Sequence, residues 1–132
     1  NLAISLTAAT DDLRDELLPI NKKYPLSKLI NTVRDFPLTP RRRITFEYVI
    51  MKGINDTDID AHQLVRLLQG LQCKVNLIPM NEIPGSKYQP PDAGTVQRFQ
   101  RIVWDAEMTA TIRESKGRDI LAACGQLRTE NK

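Results

Sequence analysis

The sequence predicts an α/β fold in which a mostly parallel sheet is flanked by helices. Four short apolar segments of strand-like composition begin near residues 2, 44, 75 and 109. Segments with the spacing of an amphipathic helix separate these strands from one another. Strands that alternate with helices form βαβ crossovers, whose strands run parallel. The pattern describes either half of a (β/α) barrel or a small doubly wound sheet.

The first half of the chain predicts two strands and two helices. Residues 2–6 are short and apolar, and residues 13–18 form a helix that Pro19 ends. Pro25 suits the first turn of a second helix. Residues 44–49 are β-branched and aromatic, as in a strand. The apolar face of the second helix consists of Leu26, Leu29, Ile30, Val33 and Phe36.

The second half repeats this alternation. A turn at residues 53–57 precedes a helix over residues 58–69, and residues 75–79 form the third strand. After a loop rich in proline and glycine, residues 92–107 form a helix and residues 109–113 the fourth strand. The inward faces of the two helices consist of Ala61, Leu64, Val65 and Leu68, and of Val96, Phe99, Val103 and Ala106.

Composition indicates a single soluble domain. The chain has 132 residues, of which 41% are hydrophobic, and no apolar run is long enough to cross a membrane. Cys73 and Cys124 are too few for a disulfide framework, so a reducing compartment fits them better. We therefore expect a cytoplasmic protein without a membrane partner. The net charge of +3 permits a polyanionic partner without requiring one.

The chain begins with a strand instead of a polar leader. Buried-type residues follow Asn1 directly, which predicts that the chain is the second part of something longer. The first strand would then lack its neighbour. We expect its unpaired edge to find a partner by self-association.

Ligands of parallel α/β proteins lie at the carboxyl ends of the strands, where this chain is polar. These ends carry Ser5, Thr7, Lys52, Asn55, Asn81, Glu82, Ser115 and Lys116. His62, the only histidine, is predicted to lie on the solvent-exposed face of its helix. The sequence shows no set of metal-ligand residues with suitable spacing and no glycine-rich phosphate-binding loop. Glu47 is expected to be an ion-paired strand residue. One edge would therefore suit a polar small molecule.

Cys124 adds a possible nucleophile to that edge. It follows the basic turn at residues 115–118, and nearby cations favour the thiolate form of a partly exposed cysteine. The alternative is that Cys124 is a small buried hydrophobe, as many free cysteines are. Spacing alone favours the buried interpretation.

Several segments together resemble the radical-SAM adenine C2-methyltransferases of the RlmN type. They are residues 1–6, 14–24, 43–49, 75–81 and 122–127, and the resemblance extends in order over essentially the whole chain. It implies that residues 1–132 are the C-terminal part of a radical-SAM partial (β/α) barrel. It also implies methylation of adenine C2 in 23S rRNA and tRNA, with S-adenosylmethionine and a 4Fe–4S cluster as cofactors.

The resemblance also assigns roles to individual residues. Ser5, Leu6 and Thr7 would line the S-adenosylmethionine site, and Asn81 would contact the same cofactor. Cys124 would become the S-methylcysteine intermediate. Adenine C2 is not a nucleophile, so the implied mechanism proceeds through a carbon radical formed on that S-methyl group.

The chain departs in several places from the pattern of the family that it resembles. The cluster motif Cys-x3-Cys-x2-Cys, the resolving cysteine and the N-terminal RNA-binding domain are absent from it, so we expect this fragment alone to be inactive. Cys73 precedes its strand on the opposite rim and is a poor substitute for the resolving thiol. The family usually has His where Thr7 stands, Pro at Glu82, and Asp at both Arg118 and Leu121.

Charge and position suggest an RNA contact beside the cysteine. Arg113, Lys116 and Arg118 are predicted to hold the RNA backbone near Cys124. The alternative is a non-catalytic α/β module that binds RNA or a nucleotide through basic loops. Such a module should tolerate Cys124→Ala, whereas a methyltransferase should lose turnover.

Overall fold

Four parallel strands form one sheet. The computed structural model describes residues 2–37 and 43–114. Its strands are β1 (Ala3–Ser5), β2 (Ile44–Ile50), β3 (Cys73–Pro79) and β4 (Ala110–Ile112), and they lie side by side in the order of the chain. All three pairings are parallel. The prediction of an α/β fold with a parallel sheet is confirmed, although β3 begins two residues earlier than expected.

Helices connect the strands. They are α1 (Asp11–Leu17), α2 (Leu26–Asp35), α3 (Asp58–Leu68) and α4 (Ala93–Asp105). A 3-10 turn at Pro19–Lys22 was not predicted, and it begins at the proline that ends α1. Thr57 caps α3, because its hydroxyl accepts from the Asp60 N–H while the Asp60 carboxylate accepts from the Thr57 N–H.

The main core lies between α2, α3 and α4 and one face of the sheet. Phe46 is paired in register with Ile4 and Val75, and Val75 with Ala110, so these side chains share that face. Tyr48 packs against Phe99 of α4 with ring centroids 5.1 Å apart. The helices contribute Leu26, Ile30, Val33, Ala61, Leu64, Leu68, Val96, Phe99 and Val103, as the apolar spacing predicted. Phe36 and Ala106, which were also predicted on these faces, are exposed because they lie just beyond the ends of α2 and α4.

The opposite face of the sheet is more polar. One register row across the four strands consists of Ser5, Glu47, Asn76 and Thr111, all at least partly exposed. A smaller apolar cluster that includes Leu17, Ile78 and Met80 lies apart from the main core. Within the described ranges, no helix is long and apolar enough to span a membrane.

Candidate functional site

The predicted cofactor residues follow the carboxyl ends of β1 and β3. Ser5 ends β1, and Leu6 and Thr7 come directly after it; Asn81 comes two residues after the end of β3. Because β2 separates these two strands, they lie roughly 10 Å apart across the sheet. Ser5 and Asn81 are exposed, whereas Leu6 and Thr7 are 0% and 4% exposed. The four residues therefore share one edge of the sheet, but only two of them are accessible there.

The chain turns sharply at Thr7. Its φ of 59° lies in the left-handed region, and the N–H of Ala8 donates to the Leu6 carbonyl at 2.7 Å. This bond between residues two apart closes a γ-turn centred on Thr7. A β-branched residue adopts positive φ rarely, at a cost of about 1–3 kcal/mol. Contacts elsewhere in the protein must offset that strain.

Arg14 of α1 supplies two of those contacts. Its side chain is buried, with Nε donating to the Leu6 carbonyl at 3.1 Å and Nη2 donating to the Ser5 carbonyl at 3.0 Å. Its Nη1 donates to Asn21 Oδ1 at 2.8 Å. Burial lowers the pKa of the Arg14 guanidinium from its ordinary value, and the nearby carboxylates of Asp11 and Asp15 oppose that shift.

Asn21 joins Arg14 to these carboxylates. Its Nδ2 donates to Asp15 Oδ1 at 2.7 Å and to Asp11 Oδ1 at 3.0 Å. Asp11 Oδ1 also accepts from the N–H of Leu26 at 2.9 Å, at the start of α2. Hydrogen bonds from Leu26 and then from Asn21 hold the pKa of Asp11 below its ordinary value.

Asn55 holds the third carbonyl of the segment. Its Nδ2 donates to the carbonyls of Thr7 and Val49, both at 2.8 Å, and its Oδ1 accepts from the Met51 N–H at 2.8 Å. Asn55 is 0% exposed. The sequence predicted Asn55 as one of the polar groups at the ligand edge, and the structure corrects this. Its amide is satisfied inside the protein, as asparagine in a turn often bonds nearby backbone.

Arg14 and Asn21 were not predicted as functional residues, although both lie in a segment that carries the family resemblance. The signal that could have found Arg14 is its position on α1. It precedes the buried Leu17 by three residues, so it lies on the same helix face as an apolar side chain. A charged residue in that position is buried only with partners.

Arg113, one of the three predicted RNA contacts, lies just beyond β4. Its Nη2 is 3.2 Å from Glu47 Oε2 of β2, which confirms Glu47 as an ion-paired strand residue. In the same register row, Thr111 Oγ1 donates to Asn76 Oδ1 at 2.6 Å. The Arg113 side chain is 47% exposed. It therefore retains access to a ligand on this face.

The other predicted site residues, Lys116, Arg118 and Cys124, lie outside the described residues. Cys73 lies at the amino end of β3, away from the ligand edge, and burial raises the pKa of its thiol to about 11. His62 is exposed, as predicted. In residues 2–37 and 43–114, no group of His, Cys, Asp and Glu side chains could hold a metal ion.

An open cavity of about 810 Å³ lies at the amino ends of α3 and α4. Asp56, Asp58 and Asp92 line it, and Asp58 pairs with Arg98 at 2.9 Å. It contains none of the predicted site residues. Its acidic lining disfavours a polyanion, so this cavity is a poor candidate for RNA binding.

The fold belongs to the radical-SAM enzymes. A crystal structure of a radical SAM methyltransferase from Sphaerobacter thermophilus superimposes with a TM-score of 0.85 at 47% identity, covering 96% of this chain and 37% of that one. A domain of pyruvate-formate lyase-activating enzyme from Bacteroides vulgatus shares the fold at 20% identity, with a TM-score of 0.66 over 85% of this chain and 66% of that one. The predicted radical-SAM architecture is thereby confirmed.

Sequence comparison identifies the family more closely. The dual-specificity RNA methyltransferase RlmN of Granulibacter bethesdensis is 56% identical over 100% of this chain and 34% of its own length. The RlmN of Methylobacterium radiotolerans is 54% identical over 99% of this chain and 31% of its own length. No protein-family model matches the chain. The chain belongs to the RlmN type of radical-SAM methyltransferases and spans about a third of the length of these curated relatives, in their C-terminal portion.

Proposed function

We propose that this chain contributes part of the S-adenosylmethionine site and the methyl-carrying cysteine to an RNA methyltransferase. The enzyme would methylate adenine C2 in 23S rRNA and tRNA by a radical mechanism. One observation carries the proposal: the chain is similar to RlmN enzymes along its entire length. The exposed polar residues Ser5 and Asn81 at the carboxyl ends of β1 and β3 support it.

The described residues fit S-adenosylmethionine. Ser5 and Asn81 are both exposed, Ser5 at the end of β1 and Asn81 just beyond the end of β3, with β2 between these strands. Thr7 and Leu6 are buried, so we assign them contact through the backbone and the shape of the turn. When bound, S-adenosylmethionine supplies both the methyl group and the radical initiator. The residues of this chain bind and orient it.

The chain does not fit an iron–sulfur cluster. Clusters are held by several cysteine thiolates, and this sequence has two cysteines, one of them the buried Cys73. A 4Fe–4S cluster in the complete enzyme would therefore take its ligands from outside this chain.

Cys124 is proposed to lose its thiol proton and to accept the methyl group on its sulfur, with S-adenosylhomocysteine as the leaving group. Arg113, Lys116 and Arg118 are proposed to contact RNA phosphates close to it. Arg113 can do so because its guanidinium remains half-exposed while it pairs with Glu47. Cationic contacts to phosphate would weaken as salt concentration rises.

Two further proposals concern location and assembly. A cytoplasmic location suits an enzyme that acts on ribosomal RNA and tRNA. In the described sheet, β1 pairs with β2 along one side. Its other side is a candidate surface for self-association of the fragment, and analytical ultracentrifugation of the chain would detect a concentration-dependent dimer.

A chimeric enzyme tests the function. The corresponding segment of the Granulibacter bethesdensis RlmN would be replaced by this chain, and adenine C2 methylation would be measured on rRNA and tRNA transcripts. We expect methylation by the chimera, complete loss with Cys124→Ala, and retained activity with the matched control Cys73→Ala. If Cys124→Ala kept its turnover, the methyl-carrying role would be wrong and the binding module would be favoured.

A further inference from the structure

Three successive carbonyl groups in the predicted cofactor segment are held by buried side chains from outside it. Arg14 binds the carbonyls of Ser5 and Leu6, and Asn55 binds that of Thr7. Both side chains are almost completely buried, so they cannot easily contact a ligand at the edge. Their hydrogen bonds act on the backbone of the segment.

The geometry points to Arg14 and Asn55 as positioning residues that hold the Ser5–Thr7 backbone in its cofactor-binding shape. The inference rests on the proposed function of that segment. Each side chain comes from a different element, Arg14 from α1 and Asn55 from the turn after β2. The segment is thus fixed from two directions.

The turn at Thr7 explains why such fixing is needed. Threonine at positive φ is unfavourable, so an unrestrained chain would relax toward an extended backbone. Relaxation would rotate the peptide groups on both sides of Thr7. It would break the Asn55 bond to the Thr7 carbonyl and displace the Ser5 end of the edge from Asn81.

The two positioning residues are themselves held in place. Arg14 donates to Asn21, which in turn donates to Asp11 and Asp15. Asn55 accepts from the N–H of Met51 through its side chain, and its carbonyl accepts from the Tyr48 hydroxyl at 2.8 Å. Fixed supporting groups are what a preorganised ligand site requires.

Two conservative substitutions isolate the effect. Arg14→Lys keeps the positive charge but loses the planar fork that reaches two carbonyls and Asn21 together. Asn55→Asp keeps the acceptor for Met51 and nearly the same shape but loses the Nδ2 donor. Arg66→Lys is the matched control, because it makes the same kind of substitution at an exposed arginine in the last turn of α3.

The test uses the chimeric enzyme described above and two readouts. Equilibrium dialysis with S-adenosylmethionine measures the Kd, and amide hydrogen exchange without ligand measures protection of the peptide that spans residues 5–8. For Arg14→Lys and Asn55→Asp we expect the Kd to rise roughly 10- to 100-fold, the range seen when groups that orient metal ligands are removed. Exchange in the peptide should accelerate. Arg66→Lys should leave both values near those of the parent.

The possible results distinguish failure of the positioning role from failure of the proposed cofactor site. Unchanged Kd and unchanged exchange in both variants would overturn the positioning role while the proposed function stood. Faster exchange with an unchanged Kd would also overturn it, because the segment's shape would not matter for binding. A parent chimera that binds no S-adenosylmethionine would instead refute the proposed cofactor site.

Discussion

The hydroxyl of Tyr48 supports the turn that carries Asn55, and its removal should measurably destabilise the protein. It donates to the Asn55 carbonyl at 2.8 Å, and both residues are 0% exposed. Burial, followed by the charges of Asp60 and Asp56, holds the pKa of the phenol well above its ordinary range. The donor is therefore present throughout neutral and moderately alkaline pH.

In Tyr48→Phe the ring keeps its contact with Phe99, so the loss is confined to the hydrogen bond. A buried carbonyl left without its donor costs about 1–2 kcal/mol after allowance for the hydroxyl no longer being buried. With a typical slope for a small protein, the urea midpoint of the chain should fall by roughly 1 M.

The matched control is Tyr24→Phe, at an exposed tyrosine, for which we expect no resolvable change. Urea unfolding followed by circular dichroism measures all three proteins. If Tyr48→Phe shifted the midpoint no more than Tyr24→Phe, the hydrogen bond would contribute nothing. The account of how Asn55 is supported would then be wrong.

Three other predictions follow from burial and charge. Burial raises the pKa of Cys73 to about 11 from 9.0, so less of the thiol is ionised in the folded chain. Alkylation of Cys73 by iodoacetamide at pH 8, followed by mass spectrometry, should therefore be about 100-fold slower in the folded than in the unfolded chain. Equal rates would contradict this prediction. The pKa of Asp11 in the folded chain lies below its ordinary 3.8, so its contribution to stability is present above pH 3.8 and is lost as pH falls through the folded pKa. In Asp11→Asn the free energy of unfolding should therefore fall less steeply at acidic pH than in the parent. Equal slopes for the two proteins would refute this. Leu64→Ala should lower the free energy of unfolding, measured in urea, by about 2–5 kcal/mol, because Leu64 is buried in the core. Ile59→Ala, at a side chain that is 69% exposed, should lower it by less than about 0.5 kcal/mol. Equal losses would place Leu64 outside the core.

The sequence predicted the sheet and helices well because their signals are local. Apolar spacing in α2, α3 and α4 corresponds to the side chains that are buried in the core. The strand order also agrees with the simplest βαβ connection, in which each new strand is added beside the last.

The arrangement of the candidate site was predictable only in part. The strand pattern predicted that Ser5 and Asn81 lie at the carboxyl ends of strands, where the structure has them. The support provided by Arg14 and Asn55 depends on hydrogen bonds between residues up to 48 positions apart, which no local pattern contains. The positive φ of Thr7 could not be predicted from the sequence either, because threonine has little intrinsic preference for that conformation.

The most direct test of the central claim is the mass of the peptide that contains Cys124. The chimeric enzyme with a reconstituted cluster would be incubated with S-adenosylmethionine, digested and analysed by mass spectrometry. We predict an added mass of one methylene on Cys124 and none on Cys73. An unmodified Cys124 in an enzyme that still methylates RNA would contradict the proposed role of this chain.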